Sequence, residues 1–361
     1  MMNLEQKAIY AILHTNGIGN VKGRKIIDTV NKIGIMIEDI DSIKAQLCSV
    51  ITNNEYNKIC ETISEIDFDD IENKLEKYDT RLITYRDKEY PQALYKLTDM
   101  PLILYCRGNI DLLKSDCFAV VGTRYPTKYG IRICEEFVAK LAERFCIVSG
   151  LARGIDSNAH NVTLQNMGST IAVLGCGVDI VYPSENSNLY KEIIKNGLII
   201  SEYDIGMQAN PYNFPARNRI ISGLSCGILI PEAGEKSGSM ITLEYAEKQG
   251  ISVFCVPGSI YNKASAGCNR SIRECQTRVA VNVNDIYDEL GLTRVKVTKV
   301  SDMQLDVNED NILRALEKNG EMHFEELINV VDISVPQLNS LLIRMSAVGL
   351  INKTKFNYWS V

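Results

Sequence analysis

No apolar run in this chain approaches the roughly 18 residues that a membrane-spanning helix needs, and no basic-then-apolar leader is present, so a cytoplasmic protein without a membrane partner is expected. Histidine is scarce, with only His14, His160 and His323. No CxxC pair and no Cys/His cluster occurs, so no metal centre is expected. The 11 cysteines are scattered, and Cys117, Cys146 and Cys255 lie in or beside apolar runs. They read as free thiols of a reducing compartment. An excess of positive charge is missing as well: 39 Lys and Arg face 45 Asp and Glu, a net charge of −6. That excludes a chain that is basic throughout, but not a local basic patch. A P-loop (GxxxxGK followed by Ser or Thr) is absent, because Glu235-Lys236-Ser237 lacks its spacing. The GxSxG elbow of a serine hydrolase is absent too, which leaves His160, four residues after Asp156, as a helix-packing histidine bonded to a carboxylate or carbonyl.

What the chain does have is concentrated between Phe118 and Asp156. A short apolar run ends at Gly122-Thr123-Arg124, an amphipathic helical segment follows, and a second apolar run ends at Ser149-Gly150-Leu151-Ala152-Arg153-Gly154 before the next helix. Two successive strand–turn–helix units of this length predict a parallel sheet covered by helices, with ligands at the carboxyl ends of the strands. Glycines, hydroxyls and an arginine at those ends suit a phosphate. The rhythm continues. Residues 170–174 end at Gly175-Cys176-Gly177, which lacks a third glycine and reads as a tight turn rather than a dinucleotide fingerprint. Residues 198–200 end at Ser201-Glu202, residues 227–230 at Pro231-Glu232-Ala233-Gly234, and residues 251–256 at Pro257-Gly258. Arg278 to Val281 reads as an edge strand.

The expected fold is α/β: an extended Rossmann-like parallel sheet core with an all-α N-terminal domain and a small winged-helix-like C-terminal domain. Residues 1–78 read as helical, with helices over 3–13, 23–33, 41–47, 54–66 and 71–78. Gly17-Ile18-Gly19 between the first two reads either as a phosphate-facing helix-hairpin-helix or as a tight turn between packed helices. Residues 79–290 form the core. Within it, 79–116 read as a connecting piece with strands over 80–84 and 101–105. Residues 291–308 read as a linker. Residues 309–361 carry three helices, over 311–318, 324–330 and 336–348, and a terminal hairpin. A third helix of this kind enters a DNA groove in some winged helices. Here it carries only Arg344, so DNA binding and protein contact both stand.

Phe214-Pro215-Ala216-Arg217-Asn218-Arg219 opens a helix. One reading is a phosphate clamp with Phe214 stacking on a base. The other is a structural arginine pair that satisfies carbonyls or Glu202. Arg124 and Arg153 carry the same two readings. Glu232 and Glu202 are either acid/base groups or loop anchors that accept backbone N–H bonds.

Taken together, these motifs resemble the DNA-processing protein A (DprA, Smf) family. The resemblance rests on VGTR at 121–124, YG at 129–130, VSGLARGID at 148–156 with His160, AVLGCG at 172–177, and Tyr182-Pro183 with Asn186. It continues with ISEY at 200–203, FPARNRII at 214–221, Glu232-Ala233 with Ser237-Gly238-Ser239, and VPG at 256–258 with Gly267 and Asn269. It spans about residues 80–290. The resemblance implies a core that binds single-stranded DNA without sequence preference, a homodimer, and loading of the RecA recombinase during natural transformation. It implies no catalytic residue and no cofactor. Carried onto this chain, the DNA- or phosphate-binding set is Gly122, Thr123, Arg124, Ser149, Gly150, Arg153, Gly175, Gly177, Tyr182, Asn186, Phe214, Arg217, Asn218, Arg219, Ser237, Gly238 and Ser239. Arg124 would clamp a phosphate together with the N–H groups of Gly122 and Thr123. Three departures stand out: Thr123 for the usual serine, Pro231 for a valine, and GCNRSIREC at 267–275 where the family has GTNxLIxxGA. A rival resemblance, to phosphoribohydrolases with PGGxGTxxE at a strand end, implies a nucleotide-binding enzyme that uses the same rim. A transcription factor acting through residues 306–361 is a third reading.

Overall fold

The computed structural model describes residues 1–30, 32–294, 306–331, 333–347, 350–355 and 357–361. Most of the expected linker lies outside them. The chain divides into two units, Met1–Leu292 and Thr293–Val361.

The first unit begins with five helices: α1 (Leu4–His14), α2 (Asn20–Thr29), α3 (Lys44–Leu47), α4 (Asn53–Glu65) and α5 (Phe68–Lys77). Capping boxes start two of them, Asn3 with Gln6 and Thr52 with Glu55, each satisfying two otherwise unpaired N–H groups. The helix expected over 23–33 begins earlier and ends earlier. Gly19 serves as its extended N-cap, and Val30 leaves the helix at φ −109° to bury its side chain. A short 3₁₀ turn, Ile33–Ile37, follows. Ile9, Ile12 and Ile26 share one continuous apolar core with Leu104 and Ile199 of the sheet.

That sheet contains β1 (Arg81–Thr84), β2 (Ile103–Gly108), β3 (Cys117–Val120), β4 (Cys146–Ser149), β5 (Thr170–Leu174), β6 (Leu198–Ser201), β7 (Ser225–Ile230), β8 (Ser252–Cys255) and β9 (Arg278–Val279). Their order is β1-β2-β6-β5-β4-β3-β7-β8-β9. Strands β3 to β9 run parallel, as the sequence pattern predicts. The segment read as a connecting piece supplies the difference. Its two strands join the same sheet antiparallel, β1 on β2 and β2 on β6. Strands β3 to β6 are buried along their whole length, the signature of a sheet covered on both faces.

The connecting helices are α6 (Lys128–Leu141), α7 (Ile155–Gln165), α8 (Ser187–Asn196), α9 (Asn213–Leu224), α10 (Ser239–Gln249), α11 (Ala266–Arg273) and α12 (Val283–Glu289). Helix α7 packs on β3, β4 and β5 beside α6, while α9 packs on the same strands beside α10, which places the two pairs on opposite faces. From β3 the chain winds outward through β4 and β5 to β6. It then returns to the other side of β3 and continues through β7 to β8. The carboxyl ends of β3 and β7 therefore flank a topological switch point.

The second unit comprises α13 (Val307–Asn319), β10 (Met322–His323), α14 (Phe324–Ile328), α15 (Val335–Ala347), β11 (Asn352–Lys355) and β12 (Tyr358–Ser360). The strands pair antiparallel in the order β10-β12-β11. Ile312, Leu316, Leu327, Leu338, Leu342, Met345 and Trp359 form its core. Three helices against a small sheet give the winged-helix-like form. Arg344 on α15 is tied to Glu309 at 2.7 Å and to Asp306 at 3.0 Å.

Candidate nucleic-acid interface

Two buried carboxylates shape the rim at the switch point. Glu232, at the end of β7, accepts the Thr127 N–H and the Thr127 hydroxyl, each at 2.7 Å, and its backbone carbonyl accepts the Thr123 N–H at 2.9 Å. It anchors the loop between β3 and α6. Of the two roles the sequence leaves open for Glu232, its bonds match the anchor. Asp156, in the first turn of α7, accepts the Gly150 N–H at 3.2 Å and takes further N–H bonds from Gly122 and Ala152. Burial pushes the Asp156 carboxyl up, and the Arg217 charge and these N–H groups pull it back. Gly154 enters α7 at φ +78°, and a Cβ there would collide with the Thr123 carbonyl.

Arg217 is only 4% exposed. It donates to the Gly150 carbonyl at 2.9 Å, to the Val173 carbonyl and to Asn218 Oδ1 at 3.2 Å, so it ties the ends of β4 and β5 to α9. Burial pulls its pKa below the usual arginine value, against the opposing charge of Asp156. Arg219 is equally buried and grips both Glu202 oxygens at 2.6 Å and Asp99 at 3.0 Å. His160 is fully buried beneath the rim and shares a 2.7 Å hydrogen bond with the Thr170 hydroxyl, not with the carboxylate or carbonyl expected. Burial and the Arg217 charge push its pKa down to about 3, so the ring is neutral.

Above these supports opens a cleft of about 620 Å³. Gly122, Thr123, Arg124 and Tyr125 line it from the β3 end, Phe214, Arg217 and Asn218 from α9, and Lys236, Ser237, Gly238 and Ser239 from the turn before α10. A narrower recess beside it adds Gly150, Arg153 and Pro183. Tyr182 borders both. Arg124 and Lys236 are exposed and have no hydrogen-bond or ion-pair partner among the described residues. Tyr125 is 78% exposed, and Tyr182 stacks on Phe214. The arrangement offers free cations and aromatic faces in one open groove, the composition that suits a single nucleic-acid strand.

The structure separates the expected site residues by what they bond. Gly122, Thr123, Arg124, Tyr182, Phe214, Asn218, Ser237, Gly238 and Ser239 all reach the cleft. The Thr123 N–H, expected to face a phosphate, is instead taken by the Glu232 carbonyl at 2.9 Å, and the Gly122 N–H faces Asp156. Ser149 is fully buried and donates to the Val120 carbonyl at 2.6 Å. Asn186 donates to the Leu151 carbonyl at 2.9 Å. Arg153 is held by both oxygens of Glu185. Gly175 lies under the Phe214 ring, and a Cβ there would come within 2.8 Å of it. Gly177 packs against the loop after β6 and donates its N–H to the Met207 carbonyl at 2.9 Å. Arg217 also borders the cleft, but its fork and that of Arg219 are bonded to carbonyls and carboxylates inside the fold.

Residues 81–291, well over half of the chain, match the family described as DNA recombination-mediator protein A. The chain belongs to this family. The DNA processing protein DprA of Streptococcus pneumoniae is 46% identical over 188 residues, which are 52% of this chain and 67% of that protein. The X-ray structure of DNA processing protein A from the same organism matches with a TM-score of 0.70 at 36% identity, over 80% of this chain and 99% of that one. The Helicobacter pylori DNA processing protein A, in a structure concerned with that protein's single-stranded DNA binding mode, matches with a TM-score of 0.53 at 33% identity, over 58% of this chain and 95% of that one.

Within this recombination-mediator core, sequence reasoning passed over Tyr125, Lys236 and Asp156. Lys236 was visible only as a failed P-loop lysine, although its Gly-Glu-Lys-Ser-Gly-Ser surroundings between a strand end and a helix carry the signal. Tyr125, next to Arg124, carried one by adjacency. Asp156 was visible only as the end of the VSGLARGID motif; its role joins the N–H groups of its own turn, Gly150 and Ala152, to that of Gly122 after β3.

Proposed function

We propose that the cleft binds single-stranded DNA through its backbone, with Arg124 and Lys236 on phosphates and Tyr182 and Tyr125 against bases. The carrying observation is that Arg124 stands exposed and unpaired at the switch point while its neighbours Arg153, Arg217 and Arg219 are all spent on protein groups. An acidic chain can bind this way because the positive charge is needed only along the groove. The bound strand is then passed to the RecA recombinase in natural transformation, by a homodimer acting in the cytoplasm. The relatives' single-strand and DNA-processing names support this reading. The rival, a nucleotide-processing enzyme, has less support. Asp156 is the one carboxylate among the described residues lining the cleft, and it is committed to backbone N–H groups.

Fluorescence anisotropy with labelled oligo-dT and a matching duplex, at low and high salt, tests the site. The wild type should prefer the single strand, and Arg124→Ala should lose most of the affinity while melting normally. Absence of single-strand binding at low salt would overturn the reading and direct attention to nucleotides. Light scattering reports the dimer, and the lag of RecA filament growth with and without this protein reports the hand-over.

A further inference from the structure

A second cleft, of about 210 Å³, lies where α1 and the turn after it meet the loop that follows β6. A chain of hydrogen bonds runs along it. His14 Nδ1 lies 2.8 Å from the Tyr10 carbonyl, and its Nε2 lies 2.7 Å from Asp204 Oδ2. The Tyr105 hydroxyl donates to the other Asp204 oxygen at 2.5 Å. The His14 ring stacks on Tyr10, with centroids 3.8 Å apart and planes inclined by 13°. A carbonyl and a carboxylate only accept, so both ring nitrogens can be satisfied only when both carry protons. A neutral ring would turn a lone pair toward one of the two oxygens.

Asp204 is also the root of the loop that builds one wall of the DNA cleft. Its carbonyl accepts the Met207 N–H at 3.0 Å, and the Met207 carbonyl accepts the Gly177 N–H at 2.9 Å. The Gly206 N–H is fixed to Asp179 Oδ1 at 2.8 Å. The same loop goes on to deliver Pro211 and Phe214 to the cleft. Gly175, close to Gly177, backs the Phe214 ring.

We propose that His14 is a positioning residue: through Asp204 the N-terminal helices hold the 202–213 loop, and with it the Pro211–Phe214 wall of the DNA cleft. Its consequence for DNA rests on the single-strand reading above, but its effect on the loop does not.

The groups that face this pair are Tyr10 on α1, Tyr105 on β2, and Glu202 and Tyr203 on the loop itself. Lys74 on α5 acts electrostatically on Asp204, and Asp70 on the same helix acts on the stacked Tyr10. Glu202 is committed to Arg219. Burial works against a charged His14, but the bond and charge of Asp204 outweigh it and raise the His14 pKa above its ordinary 6.5. Asp204 is held below the usual carboxylate range, because its bonds to His14 and Tyr105 outweigh burial. The attraction is therefore complete below pH 6.5 while Asp204 remains ionised, and it is lost as the pH rises through the raised His14 value.

The test is hydrogen exchange on the full chain, corrected for intrinsic rates, following the Gly177, Gly206 and Met207 amides near pH 6 and pH 8.5. In the wild type, protection should fall about two- to fivefold at the higher pH, the size of a partly exposed ion pair. His14→Gln keeps a hydrogen-bonding side chain but cannot titrate, so its protection should be the same at both values. His14→Ala and Asp204→Asn should be low at both, with thermal melts confirming that they fold. Equal protection in all four proteins would overturn the proposal whether or not DNA binds. Oligo-dT affinity should follow the protection. Loop protection that depends on His14, in a protein that binds no single strand, would support the positioning role and count against the single-strand reading alone.

Discussion

The ring of Tyr182 lies against that of Phe214, with centroids 5.1 Å apart and planes inclined by 26°. Phe214 is half-buried and packs closely on Gly175, where an added Cβ would come within 2.8 Å of the ring. Tyr182 is 44% exposed. The stack therefore presents Tyr182, not Phe214, to a base. Tyr182→Ala should cost single-strand affinity by about 1–3 kcal/mol, the worth of one stacked base. Tyr182→Phe should bind like the wild type. Oligo-dT titration of the two variants decides this, and equal losses would assign the effect to the hydroxyl instead.

Salt dependence separates the free cations from the buried ones. Each phosphate contact on a single strand contributes about 0.7 to the slope of log affinity against log salt. Arg124→Ala and Lys236→Ala should each flatten the slope by about that amount, and the double variant by about twice as much. Anisotropy over a salt series measures it. A slope unchanged in the double variant would place the phosphates elsewhere.

Arg219 should matter for stability rather than for phosphates. Its removal leaves Glu202, at 13% side-chain exposure, without its cation. Arg219→Ala should cost about 3–5 kcal/mol in urea unfolding, as for other broken buried pairs. Arg124→Ala, on the surface, should stay within about 0.5 kcal/mol of the wild type.

His160 should make the first unit acid-sensitive. Its folded pKa of about 3 lies below the ordinary 6.5, so the unfolded chain takes up the proton first. Stability therefore falls as the pH drops below 6.5, by up to about 1.4 kcal/mol per pH unit, until the folded value is reached. His160→Asn should lose that part of the pH dependence. Urea midpoints compared near pH 7 and pH 5 would show it, and an unchanged slope in the variant would assign the acid sensitivity to another group.

Much of the architecture was legible from the chain alone. The apolar runs at 118–121 and 145–148, each stopped by a glycine turn, marked β3 and β4 because a strand buried on both faces must be apolar along its whole length. The antiparallel strands β1 and β2 were legible as strands but not as members of the same sheet. Register between distant segments leaves no local trace, and β2 meets β6 across 90 residues or more. Arg124, beside a strand end, and Arg217, at a helix opening, carried the same two readings in sequence. Nothing local shows that one stays in solvent while the other passes under the rim to the Gly150 and Val173 carbonyls.

The sequence by itself determined the strand–turn–helix rhythm, the rim at the strand ends and the family, because these follow from hydrophobic period, turn chemistry and ordered motifs. The tertiary structure alone decided which cations are free. An arginine's role depends on what lies within hydrogen-bond reach of its fork, and at Arg217, Arg219 and Arg153 those partners come from other loops and strands. The same holds for His14, whose partner Asp204 lies 190 residues away and is brought to it only by folding.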